Sequence, residues 1–175
     1  MAGTLIEINP VTRITTGYVG QPGKRVFYLQ ANKSQDLVTL IIEKQQVEAL
    51  AHGIEQFLVE LQDKVPTLAE ASDDYSPLEM QLSLPLDPLF RVGQIGLGYD
   101  SDRDLMVLVA QEVVVEGRDP EEATVARFFA TRAQMRALGQ YGLKLVREGR
   151  PICGLCGQPI DPEGHFCPRS NGHKH

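Results

Sequence analysis

Apolar positions along this 175-residue chain first alternate with polar ones in short runs, then fall into a helical repeat, and the same succession occurs twice. Leu5–Ile8, Ile14–Val19, Arg25–Ala31 and Leu37–Ile42 are short and rich in β-branched and aromatic residues, which predicts strands. Gln21-Pro22-Gly23-Lys24 and Lys33–Asp36 supply the turns between them. From Lys44 the period lengthens. Val47, Leu50, Ala51, Ile54, Phe57, Leu58 and Leu61 form one continuous apolar stripe of an amphipathic helix. In the second round, Phe90–Gly98 and Asp104–Val115 predict a hairpin around Tyr99–Asp102. Thr124–Ala130 predicts a further strand, and Thr131 is placed to cap a helix running to about Glu148. Between the rounds, residues 66–88 hold four prolines and no clean period, so they read as a long connection with little regular structure.

The order of elements and the helix openings suggest a duplication. Gln46-Val47-Glu48-Ala49-Leu50 corresponds to Gln134-Met135-Arg136-Ala137-Leu138 at a constant offset of 88. The expected fold is therefore α+β: two βββα halves, about 1–65 and 89–148, related by a pseudo-twofold, forming an antiparallel sheet packed by two helices. Residues 1–148 make that domain, with 66–88 as linker, and residues 149–175 form a separate zinc knuckle.

Composition narrows the setting. No apolar run is long enough to cross a membrane, and the N-terminus lacks the basic-then-apolar order of a signal peptide. Three cysteines, all in the last 23 residues, cannot pair evenly, which favours a reduced, cytoplasmic protein. Charge is divided: residues 1–123 carry 9 Lys+Arg against 20 Asp+Glu, a net −11, and residues 124–175 carry 8 against 3, a net +5; together they make the −6 of the whole. An anionic partner would be drawn to the C-terminal third, although the two parts could equally serve to attract each other.

The chemistry concentrates in the tail. Cys153-Gly-Leu-Cys156-Gly157 is followed after ten residues by Cys167. Two thiolates at this spacing, with Gly157 to allow the tight turn, suit Zn²⁺, and a third thiolate follows. A redox C-x-x-C would instead open a helix after a strand, whereas this pair lies among Gly and Pro. His165, His173 and His175 each compete as fourth ligand. His165 gives C-x2-C-x8-H-x-C; His173 gives C-x2-C-x10-C-x5-H; His175 is terminal and prone to fray. Four protein ligands would close the site, making it structural and leaving no position for an activated water.

Several segments together resemble a known family. Val19–Ala31, Glu43–Val47, Phe90–Gly93, Gly149–Cys153 and the tail PIDPEGHFCPRSNGH look like an uncharacterised bacterial, mainly actinobacterial, family of unknown function with a C-terminal CxxC…GHxC zinc-type tail. The resemblance implies Cys153, Cys156, His165 and Cys167 as the ligand set, favouring His165 over His173. It brings no established reaction.

Other candidates have plainer readings. Gly20–Gly23 lacks phosphate-loop spacing and opens no helix, so it reads as a hairpin turn. Glu43 and Lys44 suit a helix start better than an acid/base pair. Asp100, Asp102 and Asp104 begin like a calcium loop, but Leu105 and Gln111 stand where its Gly and Glu belong. His52 stands alone on a helix. On the second helix, Arg132, Arg136, Lys144 and Arg147 share an arc of about 120°, continued by Arg150 and Arg169. The expectation is a non-enzymatic, zinc-containing binding or adaptor protein that holds an anionic partner on this basic face. The alternatives are an enzyme acting on a phosphorylated or other anionic small molecule between the halves, around Arg25, Glu43 and Arg91, and nucleic-acid binding, which the pI of 5.2 disfavours.

Overall fold

The computed structural model describes residues 3–21, 23–72 and 74–148. Within them the chain forms β1 (Leu5–Ile8), β2 (Arg13–Val19), β3 (Val26–Lys33), β4 (Asp36–Ile42), α1 (Lys44–Lys64), β5 (Val92–Asp100), β6 (Leu105–Glu112), β7 (Val125–Thr131) and α2 (Arg132–Arg147). None of the described helices is long and apolar enough to cross a membrane.

The fold is α+β, with one departure from the expected single antiparallel sheet. There are two sheets, ordered β2-β3-β4 and β1-β7-β6-β5, and β1 runs parallel to β7. Alternation shows which face of a strand is apolar but says nothing of distant partners, so the pairing of first with last strand was illegible. The sheets are joined where residues 89–91 run beside β4: Leu89 N–H donates to Thr39 O at 2.9 Å and Ile41 N–H to Phe90 O at 3.0 Å. That pairing moves the start of β5 from the expected Phe90 to Val92.

Period-two alternation decides what each sheet buries. Ile14, Leu29, Ala31, Leu40 and Ile42 of the first sheet share one core with Met106, Leu108, Ala126 and Phe128 of the second. Both helices cover it, burying Val47, Leu50, Ala51 and Ile54 of α1 and Met135, Leu138, Leu145 and Val146 of α2. The helices cross closely because α2 presents glycine to α1. A Cβ on Gly139 would lie 3.3 Å from Ala51 Cα, and one on Gly142 would lie 2.8 Å from Val47 Cγ1. The space between the two βββα runs is thus a packed core.

Residues 66–88 are irregular as expected, apart from a 3-10 turn at Pro77–Met80, but they are fastened throughout as a strap. Arg13 donates to Glu79 O at 2.7 Å, to Gln81 O, and to Ser83 Oγ at 2.8 Å. Thr15, Gln30 and Thr39 form a buried polar row across the face of β2–β4 that looks away from the helices. Thr15 Oγ1 donates to Met80 O. Gln30 Nε2 donates to Ser83 O at 2.9 Å and to Thr39 Oγ1 at 3.0 Å, and Gln30 Oε1 accepts from Ser83 N–H at 2.8 Å. A buried amide that found no partners would be costly, so this row requires the strap above it.

Candidate functional site

The described part of α2 begins in a capping box. Thr131 Oγ1 accepts from Gln134 N–H at 3.0 Å, and Thr131 N–H donates to Gln134 Oε1 at 2.8 Å. One turn later the basic residues appear, and the structure divides them into two pairs. Lys144 and Arg147 are exposed. Arg132 and Arg136 turn inward, against the expectation of a continuous solvated stripe.

Arg132 reaches back to the β5–β6 hairpin. Its Nε lies 2.8 Å from Asp104 Oδ1 and its Nη2 3.0 Å from Asp104 Oδ2, a two-pronged pair, while Nη1 donates to Ala69 O at 2.6 Å. Tyr99 Oη also donates to Asp104 Oδ1, at 2.6 Å. The Arg132 hydrogen bond holds the Asp104 carboxyl below its ordinary value, and burial acts the other way. Burial first, then the bond to Asp104, raises the Tyr99 phenol. Arg136 repeats the arrangement one turn on. It meets Glu55 of α1 twice at 3.1 Å and donates to Ala71 O at 2.8 Å. Both guanidiniums therefore clip the strap to the helices. They border an open cleft of about 430 Å³ whose other walls include Glu55, Leu58, Gln62 and Leu68. The i, i+4 spacing of the two arginines was visible in the sequence, but Asp104 and Glu55 as partners were not.

At the opposite end of α2, Arg25 serves as a clamp that sequence reasoning had assigned to a groove. Its Nη1 donates to Leu145 O at 3.1 Å and to Glu148 O at 2.7 Å, satisfying carbonyls that a helix end leaves free. The guanidinium lies 4.6 Å from the Tyr18 ring centre and 5.4 Å from that of Phe27, and Tyr18 Oη donates to Glu148 Oε2 at 3.2 Å. Glu43 and Arg91 form an exposed ion pair at the mouth of α1. Arg25, Glu43 and Arg91 each therefore already hold a contact within the fold.

The remaining sequence candidates resolve locally. Asp100 caps its turn, accepting from Asp102 N–H at 3.1 Å and Arg103 Nε at 2.8 Å. Asp104, at φ 51°, faces Arg132 instead, so the three carboxylates do not converge on a cation. No group of three or more His, Cys, Asp or Glu able to hold a metal occurs among the described residues. His52 is exposed on α1. The Gly20–Gly23 segment is the β2–β3 turn, with Gly20 at φ 111° and Gly23 at φ 84°. Cys153, Cys156, His165, Cys167 and His173, with Arg150 and Arg169, lie outside the described residues.

Fold and sequence together place the chain among α+β proteins built from antiparallel meanders followed by helices. A family model described as "Protein of unknown function (DUF3090)" matches residues 6–167, and the chain belongs to that family. No curated protein and no solved structure matches.

Proposed function

We propose that this protein is a non-enzymatic, zinc-containing binding or adaptor module, in which a duplicated βββα body anchors a C-terminal zinc knuckle beside a short cationic surface. The observation that carries the reading is the root of the tail. Arg25 and Tyr18 tie the last turn of α2 to the first sheet, and the two exposed cations of the helix, Lys144 and Arg147, lie on the turn where the tail departs. A partner met there would touch Lys144, Arg147, Arg150 and Arg169. Arg132 and Arg136 leave this surface, because both bind acids and strap carbonyls within the fold.

The donor set of the tail fits zinc. Three thiolates and one imidazole are borderline-soft ligands suited to a closed tetrahedral site, and a 25-residue segment without an apolar core gains its folding energy from such a site. Cys153, Cys156, His165 and Cys167 would hold one structural ion. The family match ends at residue 167, taking in His165 and stopping short of His173, which supports His165 as the fourth ligand.

Strand registers support the duplication. Aligning the two capping boxes, Glu43/Gln46 with Thr131/Gln134, sets β4 against β7. The pairing then sets β3 against β6 and β2 against β5, bringing Ala31 onto Ala110, Ile14 onto Ile95, and Gly17-Tyr18 onto Gly98-Tyr99. These identities lie in strands whose connecting turns differ in length, so no single sequence offset reveals them.

Metal analysis and partner capture test the reading together. Purified protein should carry about one zinc per chain, lost on His165→Ala and retained on His173→Ala. Lys144→Glu with Arg147→Glu should leave the melting temperature unchanged and abolish salt-sensitive partner capture. Metal-free protein prepared without chelator, or capture indifferent to the charge reversal, would refute it.

A further inference from the structure

The two sheets are treated unequally on the faces that look away from the helices. On β2–β4 the strap seals that face. Leu82 lies over Gly17, and a Cβ added there would come within 2.5 Å of Leu82 Cγ, so the glycine is what admits the leucine. On β5–β7 the same register position is Gly98, with Gly96 in place of Thr15. A Cβ at Gly96 meets nothing within 4 Å, and one at Gly98 meets only Val107, at 3.9 Å. Val107, Val109, Val125 and Phe129 share this face and are only partly buried, and Leu5 of β1 extends it at 53% exposed. Where the first sheet offers the polar row Thr15–Gln30–Thr39 to the strap backbone, the second offers Gly96–Val109–Arg127. Arg127 pairs with Glu7 through Nη2, but its Nε is buried and has no partner.

The strap also carries what such a face would receive. Beside Leu82 it exposes Leu78 at 78% and Leu84 at 79%, the most exposed large apolar side chains among the described residues. Exposed Glu79 and Asp87 accompany them, opposite in charge to Arg103 and Arg127 at the border of the open face. A chain that bears both the open face and a second set of leucines on an acidic strap is complementary to itself.

We propose that a second copy of this chain covers the β5–β7 face. The strap of each copy lies across the other's sheet, with Leu78 and Leu84 over the hollow at Gly96 and Gly98. The strap of one copy and the sheet of the other exchange roles, so a twofold axis satisfies both contacts at once and closes the assembly as a dimer. The template is the contact each copy already makes with its own strap at Gly17. The proposal rests on the strand registers and not on the zinc or partner readings.

Sedimentation of the full-length protein across concentration tests it. The wild type should be dimeric at micromolar concentrations. Gly96→Arg places its side chain in open space, so folding should be retained while dimerisation weakens at least about tenfold. Leu78→Glu with Leu84→Glu, both on exposed positions, should act alike. Mixing the two variants should restore a mixed dimer, because one contact is wild type and the other opposes the new guanidinium to the new carboxylates. A wild-type monomer up to about 100 µM, or a dimer that ignores Gly96→Arg, would overturn the proposal. So would a monomer that Gly96→Arg destabilises, since the chain's own residues 149–175 would then be the cover.

Discussion

Gln30→Leu separates a strap that completes the fold from one that merely connects two halves. The side chain is 1% exposed and makes three hydrogen bonds, two of them to the backbone of Ser83 and one to Thr39 Oγ1. Leucine fills a similar volume but leaves the Ser83 N–H and C=O without partners. A buried orphan of this kind costs about 1–3 kcal/mol. Ser83 is only partly buried, so water can reach it once the strap lifts, and roughly half of that penalty applies to each group. The added apolar burial of leucine offsets a further part, leaving a net loss of about 2 kcal/mol. For a chain of this size that corresponds to a fall in melting temperature of about 4–8 °C. Urea melts would supply the free energy, and limited proteolysis between residues 78 and 86 would report the strap directly. Cleavage should rise because the lost bonds are those that hold the strap down. A melt within about 1 °C of wild type, with an unchanged cleavage pattern, would show the strap to be an idle tether and refute the reasoning.

The helix crossing gives a sharper steric test. Gly142→Ala should cost about 1–3 kcal/mol by overpacking, and adding Val47→Ala should recover part of that loss, because Val47 Cγ1 is the nearest obstacle at 2.8 Å; additive effects in the double-mutant cycle would refute the contact. The Asp104–Arg132 pair should be visible in pH dependence. Its depressed carboxyl contributes stability that is present above the unfolded value of about 4 and is lost as pH falls through the lower folded value. Asp104→Asn should remove that acid-side slope and loosen the strap at Ala69, measured by melts between about pH 2 and 6; an unchanged slope would place the titration elsewhere.

The sequence by itself determined the elements. Both helices, the Thr131 cap, the β2–β3 turn and six of the seven strands were legible to within a few residues, because period, capping and turn chemistry are local properties. Leu5–Ile8 was legible as a strand too, but its parallel pairing with β7 was not, since the two are more than a hundred residues apart and alternation carries no partner information. The tertiary structure alone decided which charges are spent. On a helical wheel Arg132 and Arg136 are indistinguishable from Lys144 and Arg147. Asp104, Glu55 and the strap carbonyls separate the pairs, and those partners come from a hairpin, another helix and an irregular segment. The strap followed the same rule. Prolines and acids without period announce a connection, whereas Thr15, Gln30 and Thr39 show that it is fastened only when three strands align them into one buried polar row. The metal ligands belong to the opposite case: their spacing is a covenant of nearby residues, readable from the chain alone, because four donors within fifteen residues need no distant element to bring them together.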